Sequence, residues 1–195
     1  YVGAITKCLD IGSVSMKLTR LELPNVCLIE NDIFQDERGS LSEVYKDHMI
    51  YEKLGFTNLL ELEVESVKGV LRGLHYQLDP HAQAKIVRVV NGSILDVIVD
   101  IRRSSKTFGK WCSIVLDSEK KQQLYVPRGF AHGYYTLEPN TKLIYKLDNL
   151  YSREAFRGIA YNDVSLDINW GLIGAPTLSE QDRILPKLSE AEVFE

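Results

Sequence analysis

Residues 94–102 read ILDVIVDIR and form the clearest β-strand pattern in the chain. Four apolar residues fall on one face of such a strand: Leu95, Val97, Val99 and Ile101. The other face carries Asp96, Asp100 and Arg102. This alternation predicts a β-strand, because successive side chains of a strand point to opposite faces. Asn91 and Gly92 come directly before it and are typical of a two-residue hairpin turn.

Further short strands are predicted on both sides of this one, at residues 28–34, 85–90, 111–116, 123–126, 133–137 and 141–147. One substantial helix is predicted at residues 44–54, ended by Gly55, and short helices at residues 178–194. Short strands at regular spacing with turns between them indicate an all-β sandwich or barrel. The chain lacks βαβ alternation and a GxGxxG motif, which excludes the dinucleotide-binding folds.

Composition narrows the class of protein further. A chain of 195 residues suits one domain with a full core. The net charge of −4 argues against a general nucleic-acid binder, and no apolar run reaches the roughly 18 residues of a membrane-spanning helix. The first residues do not read as a secretory signal. Three cysteines without CxxC spacing predict free thiols and a cytoplasmic protein.

Residues 69–77 read GVLRGLHYQ and hold the first candidate for chemistry. At strict period two, Arg72 and His75 would point to opposite faces of the sheet. A bulge at Gly73 would bring them to the same side. A basic group beside a titratable group suits an anionic substrate that requires proton transfer. The alternative is a core histidine next to a surface arginine.

Four runs in this order and spacing resemble the dTDP-4-dehydrorhamnose 3,5-epimerase family: GVLRGLHYQ at 69–77, QAKIVRVVNGSILDVIVDIRRSSKTFGKW at 83–111, QLYVPRGFAHGYYTL at 123–137 and LIYK at 143–146. The resemblance covers about residues 18–186. It implies a cupin fold, a jelly-roll barrel, and a homodimeric enzyme of deoxysugar nucleotide metabolism that uses no cofactor. Residues 16–195 are predicted to form this single domain, and residues 1–15 an N-terminal extension without an assigned function.

Epimerisation beside a ketone requires a base, a group that stabilises the enolate, and an acid on the opposite face of the sugar. His75 is the candidate base, because histidine is the residue type whose ordinary pKa lies near neutrality. Lys85, on a neighbouring predicted strand, can supply positive charge. By resemblance Tyr145 is the acid, although the pattern alone favours a core tyrosine beside Leu143 and Leu147.

A base histidine needs a partner that fixes its tautomer, and this is usually a carboxylate. By residue type, Asp96, Asp100 and Asp182 are candidates. The resemblance selects Asp182, because it ends the family's L-S-x-x-D motif at residues 178–182.

Binding residues also follow from the resemblance. Arg38 and Arg72 are expected to clamp the diphosphate, since guanidinium geometry suits phosphate oxygens. Glu43 is expected to contact the ligand, and Tyr151 to stack on the base. The segment that carries Arg38 is expected to reach toward the partner subunit's site.

His132 lies in PRGFAHG, which matches the second histidine motif of metal-binding cupins. Such cupins also need an H-x-H, and the matching place reads His75-Tyr76-Gln77. Because a ligand is missing, no metal is predicted, and His132 is expected to shape the substrate pocket.

Three departures from the family pattern bear on the substrate. The segment at 60–66 reads LELEVES and contains Leu62, where the family commonly has an NHS-containing stretch; Phe156 replaces a glutamate and Gln181 a lysine. The predicted function is epimerisation at C3 and C5 of an NDP-4-keto-6-deoxyhexose that is dTDP-linked. The alternatives are a single-carbon epimerase for another NDP-4-keto sugar, a non-catalytic sugar-nucleotide-binding cupin, and a metal-dependent cupin oxygenase.

Overall fold

The computed structural model describes residues 16–195. These residues form short strands and two helices in the following order: β1 Met16–Arg20, β2 Cys27–Asn31, β3 Phe34–Asp36, β4 Gly39–Leu41, α1 Asp47–Leu54, β5 Leu60–Ser66, β6 Leu71–Gln77, β7 Lys85–Asn91, β8 Ser93–Asp100, β9 Trp111–Asp117, β10 Gln123–Val126, β11 Phe130–Thr136, β12 Thr141–Leu147, β13 Phe156–Gly158 and α2 Glu180–Arg183. The predicted all-β class is confirmed.

Two antiparallel sheets build the barrel. One has six strands in the order β1-β2-β10-β7-β12-β5, and the other has five in the order β13-β6-β11-β8-β9. Their inner faces share one apolar core. The six-stranded sheet supplies Leu28, Val87, Val89, Leu124, Val126 and Leu143. The five-stranded sheet supplies Ile94, Ile98, Cys112, Leu116, Phe130 and Tyr134.

The outer face of the five-stranded sheet is covered by the C-terminal part of the chain. Apolar residues of that part pack on β8 and its neighbours: Ile159, Leu166, Trp170, Leu188, Ala191 and Val193. Both faces of β8 are therefore buried, and Asp96 and Asp100 are fully enclosed. Of the short helices predicted at 178–194, only the single turn α2 is present, because this segment is held by its packing on the sheet rather than by helical hydrogen bonds.

Two predicted elements near residue 40 have different bounds. The strand predicted at 28–34 is split, because β2 pairs within the six-stranded sheet while β3 and β4 form a separate hairpin. The helix begins at Asp47 instead of Val44. The Val44 carbonyl accepts a hydrogen bond from Gln123 Nε2 at 2.6 Å, which holds this part of the chain against β10. Gly55 ends α1 with a left-handed φ of 65°, as predicted.

Cys27 and Cys112 are free, buried thiols, whereas Cys8 and the rest of the predicted extension lie outside the described residues. Within residues 16–195, neither helix has the length and apolar character required to span a membrane.

Candidate active site

A cavity of about 450 Å³ opens between the two sheets. Six of the nine predicted site residues line it: Arg72, His75, Lys85, His132, Tyr145 and Tyr151. This volume falls in the range of small-molecule sites. The cavity therefore brings together residues that are up to 79 positions apart in the chain, from Arg72 to Tyr151.

The predicted bulge at Gly73 is present and explains why Arg72 and His75 share a wall. His132 of β11 pairs with His75, but two residues later Tyr134 pairs with Arg72, three residues away on β6. The extra residue on β6 shifts the register. Gly73 has a φ of 117°, and a Cβ there would lie 2.6 Å from Gly133 Cα. Only glycine allows this close approach of the two backbones.

His75 pairs with the aspartate that the resemblance selected. His75 Nε2 lies 2.5 Å from Asp182 Oδ1, and Asp182 is 4% exposed. Burial alone would raise the pKa of this carboxyl group, but the hydrogen bond and charge of His75 outweigh it and hold the pKa below its ordinary value. An ionised Asp182 accepts a hydrogen bond from Nε2–H of His75 and leaves Nδ1 as the basic nitrogen.

The segment that carries Asp182 is tied to the strand that carries His75. Thr177 makes two backbone hydrogen bonds to the start of β6, through the Gly69 carbonyl and the Leu71 amide. Ser179 then caps α2: its Oγ accepts from the Asp182 amide at 3.1 Å and donates to Asp182 Oδ2 at 2.9 Å. These contacts place the carboxylate behind the imidazole.

Lys85 and Tyr145 face the cavity from neighbouring strands of the other sheet. Burial lowers the pKa of Lys85 to about 8, and the negative charge of Asp96 opposes only part of this shift. Burial is the main cause that raises the pKa of Tyr145 well above its ordinary value, and the nearby Tyr134 and Asp96 raise it further. Lys85 can thus carry a positive charge near neutral pH, and Tyr145 holds its proton firmly.

His132 has a carboxylate partner that the sequence did not reveal. Its Nε2 lies 2.7 Å from Asp96 Oδ1, and both side chains are almost completely buried. Asp96 had been a candidate for His75 instead, and the other candidate, Asp100, binds Arg102. The polar face of β8 could have indicated this pair. Asp96 lies opposite Tyr134 on β11, and Tyr134 is two residues from His132.

Gln77 occupies the place where metal cupins carry their second histidine, and here it fixes a loop. Its Nε2 donates to the carbonyls of His81 and Leu150, at 2.6 and 3.1 Å. Its Oε1 accepts from the Ser152 amide at 2.7 Å. The residues on both sides of Tyr151 are thereby held, and the exposed Tyr151 ring lies at the cavity.

Arg38 and Glu43 do not line this cavity. Arg38 lies in the exposed β3–β4 hairpin and pairs with Asp36 at 2.5 Å, whereas Glu43 pairs with Lys46 at 2.7 Å. Within one chain, these two predicted binding residues are therefore separated from the other predicted site residues.

The family follows from a comparison with known proteins. A family model described as dTDP-4-dehydrorhamnose 3,5-epimerase matches residues 20–190. The chain belongs to this family. It is therefore an isomerase of the carbohydrate epimerase class.

Individual relatives agree with this assignment. The chain is 42% identical to dTDP-4-dehydrorhamnose 3,5-epimerase of Shigella flexneri, over 92% of this chain and 99% of the relative. Its fold matches dTDP-6-deoxy-D-glucose-3,5-epimerase of Legionella pneumophila, solved with dTDP-4-keto-L-rhamnose, with a TM-score of 0.86, 38% identity and coverage of 90% and 94%. A 3'-monoepimerase of Streptomyces bikiniensis, solved with dTDP-quinovose, matches with a TM-score of 0.82, 29% identity and coverage of 87% and 86%. The predicted cupin fold is confirmed by these structures.

Two of the three departures of this family member line the cavity, one from each sheet. Leu60, Leu62 and Val64 of β5 all line it, and Leu62 pairs directly with Tyr145 across the strands. Phe156 lies against the candidate base, with its ring centroid 5.0 Å from that of His75. Gln181 does not line the cavity. Two of the three departures therefore place apolar groups beside the residues predicted to move protons.

Proposed function

We propose that this chain converts dTDP-4-dehydro-6-deoxyglucose to dTDP-4-dehydrorhamnose by epimerisation at C3 and C5, without a metal or a cofactor. The observation that carries the proposal is that His75, held by Asp182 at 2.5 Å, lines one cavity with Lys85 and Tyr145. A base, a cation and an acid around one space are what inversion beside a ketone requires.

The first step is proton removal by His75. Asp182 accepts a hydrogen bond from Nε2–H, so Nδ1 is the nitrogen that takes the proton from the carbon beside the C4 ketone. The electron pair of the C–H bond moves into an enolate, and His75 becomes an imidazolium ion next to the Asp182 carboxylate. The carboxylate stabilises this cation and keeps the ring in one orientation.

The second requirement is stabilisation of the negative charge on the C4 oxygen. Lys85 lines the cavity, and its ammonium group can donate to this oxygen. A fixed donor for a developing oxyanion typically contributes about 10²- to 10³-fold in rate. With a pKa of about 8, Lys85 is mostly protonated at neutral pH.

Tyr145 then gives its phenolic proton to the carbon from the face opposite His75. The ketone re-forms with inverted configuration, and Tyr145 is left as a phenolate. The imidazolium returns its proton to solvent and the phenolate regains one, so the enzyme carries no net change. A second cycle inverts the other carbon.

Arg72 and Tyr151 supply the binding contacts of this chain. Arg72 is exposed and lines the cavity, where its guanidinium group can pair with phosphate oxygens. Tyr151 is 61% exposed, so its ring is free to stack on a nucleotide base. The buried free thiols Cys27 and Cys112 suit a reducing compartment, the cytoplasm.

A homodimer accounts for the position of Arg38 and Glu43, which one chain leaves outside its own cavity. We expect the β3–β4 hairpin of one subunit to bring Arg38 to the cavity of the other. A mixture of Arg38→Ala and His75→Asn chains, unfolded and refolded together, should then regain activity. Each mixed dimer would contain one site with both residues intact.

The control for this experiment is the same two variants refolded separately and combined afterwards without exchange of subunits. Substrate is supplied below the KM of the Arg38→Ala enzyme, so that the gain is visible. Activity of the co-refolded sample equal to that of the control would contradict a shared site.

A single-carbon epimerase is the second candidate. The similarity to the 3'-monoepimerase and the apolar residues Leu62 and Phe156 in the cavity both favour it over a binding module. Incubation with dTDP-4-dehydro-6-deoxyglucose and NMR analysis of the product decides between them. Inversion at both carbons supports the first proposal, inversion at one supports the second, and unchanged substrate with tight binding would overturn both.

A further inference from the structure

Tyr134 carries a buried hydroxyl group that the mechanism above does not use. The residue is 1% exposed, it lines the cavity, and within residues 16–195 its hydroxyl has no hydrogen-bond partner of ordinary geometry. Buried polar groups in folded proteins are nearly always paired, because an unpaired one is costly. An unpaired phenol at the wall of a reaction cavity therefore calls for a functional explanation.

Tyr145, the proposed acid, lies near this hydroxyl group. Tyr134 is on β11 and Tyr145 is on β12, so the two rings approach each other across the barrel from opposite sheets. Their centroids are 6.3 Å apart at an interplanar angle of 43°. While Tyr145 keeps its proton, Tyr134 raises the pKa of Tyr145 and so favours the protonated phenol. A role of Tyr134 after proton delivery therefore rests on the position of the two rings.

The Tyr145 phenolate that remains after proton delivery is electrostatically unfavourable. Its side chain is then an anion in a buried site, beside the Asp96 carboxylate, and burial is the main reason that its pKa lies so high. The positive charge of Arg72 offsets only part of this. A neutral phenol next to the anion can donate a hydrogen bond to it, and such charge-assisted bonds are the strong ones.

We propose that the Tyr134 hydroxyl donates a hydrogen bond to the Tyr145 phenolate that remains after proton delivery. This makes Tyr134 a positioning residue for the acid: it acts through Tyr145 and touches neither the base nor the reacting carbon. The inference rests on the proposed function, because it requires Tyr145 to be the proton donor.

The experiment is Tyr134→Phe, assayed in heavy water with dTDP-4-dehydro-6-deoxyglucose. Deuterium entry with retained configuration reports on His75, and inverted product reports on Tyr145. We expect inversion to slow by about 10- to 100-fold, the range of a hydrogen bond to a charged group, while exchange with retention stays near the wild-type rate. The ratio of exchange to inversion therefore rises.

Two other roles for Tyr134 predict different ratios. A hydroxyl that binds the substrate would slow exchange and inversion together, with a raised KM. A hydroxyl that matters only for folding would lower the melting temperature and leave the ratio unchanged. Either result would overturn the proposal.

Tyr135→Phe is the matched control. Tyr135 is the next residue on β11, is also buried at 4% exposure, and packs in the core on the outer face of the sheet instead of in the cavity. Its loss of a hydroxyl should leave the ratio of exchange to inversion unchanged.

A second comparison separates failure of the inference from failure of the proposed function. If Tyr145→Phe itself does not separate exchange from inversion, the proposed function fails. If Tyr145→Phe separates them and Tyr134→Phe does not, only the inference on Tyr134 fails. Adding Tyr134→Phe to Tyr145→Phe should change the ratio no further, because no phenolate then forms.

Discussion

Replacing His75 with asparagine is expected to abolish proton exchange at both C3 and C5. A carboxylate holds Nε2 of His75 at 2.5 Å, and the side chain of His75 is 27% exposed at the cavity. The side chain of His132 is 3% exposed and pairs with its own carboxylate, Asp96. One base should therefore serve both carbons. Loss of a positioned general base typically costs about 10²- to 10⁴-fold in rate, which NMR measurement of deuterium uptake detects readily.

His48→Asn provides the control for this substitution. His48 lies in α1 and is exposed, so the same substitution there should leave the rates of proton exchange unchanged. Asparagine at position 75 can still donate a hydrogen bond toward Asp182, which limits the loss of stability. Exchange at either carbon near the wild-type rate would show that another base exists.

Tyr145→Phe is expected to separate two events that the native enzyme couples. The ring and its packing beside Leu143 and Leu147 are retained, but the phenolic proton is lost. His75 can still form the enolate and return a solvent-derived proton to the same face. Deuterium should enter the substrate with retained configuration, while inverted product falls by about 10²- to 10⁴-fold, the contribution of a positioned acid.

If Tyr145 served only to pack the core, Tyr145→Phe would cause a modest loss of stability with small, parallel effects on proton exchange and inversion. Tyr125→Phe is a suitable comparison, because Tyr125 is buried in a separate apolar cluster and does not line the cavity. Survival of inversion at close to the wild-type ratio to exchange would remove Tyr145 from the mechanism.

Local pattern was sufficient for most of the strands. The alternation in 94–102 and the turn at Asn91-Gly92 correctly predicted β8 and the hairpin before it, because period two is a property of the strand itself. The glycine inside GVLRGLHYQ likewise predicted the bulge that joins Arg72 and His75. These features depend on residues that are near one another in the chain.

Contacts between distant residues were not readable in the same way. His75 and Asp182 are 107 residues apart, and residue type alone left three aspartates open, so the choice depended on a family motif. The partnership of His132 and Asp96 was missed, because a charged face on a strand is also typical of solvent exposure. The C-terminal segment covers the other face of that sheet, and no local sequence pattern predicts this packing.

The apolar departures from the family pattern illustrate a further limit. The sequence showed that Leu62 and Phe156 depart from the family, but not that Phe156 touches the imidazole of His75, at a centroid distance of 5.0 Å. The register of β5 on β12 places Leu62 beside Tyr145. Both departures therefore adjoin the proposed proton-transfer groups.

The central claim is that one cavity removes and returns protons at both carbons next to a C4 ketone. The most direct test is incubation of the unaltered protein with dTDP-4-dehydro-6-deoxyglucose in heavy water, with label and stereochemistry followed together by NMR. We expect deuterium at both C3 and C5 and a product inverted at both positions. Substrate that is bound but remains free of deuterium at C3 and C5 would contradict the account.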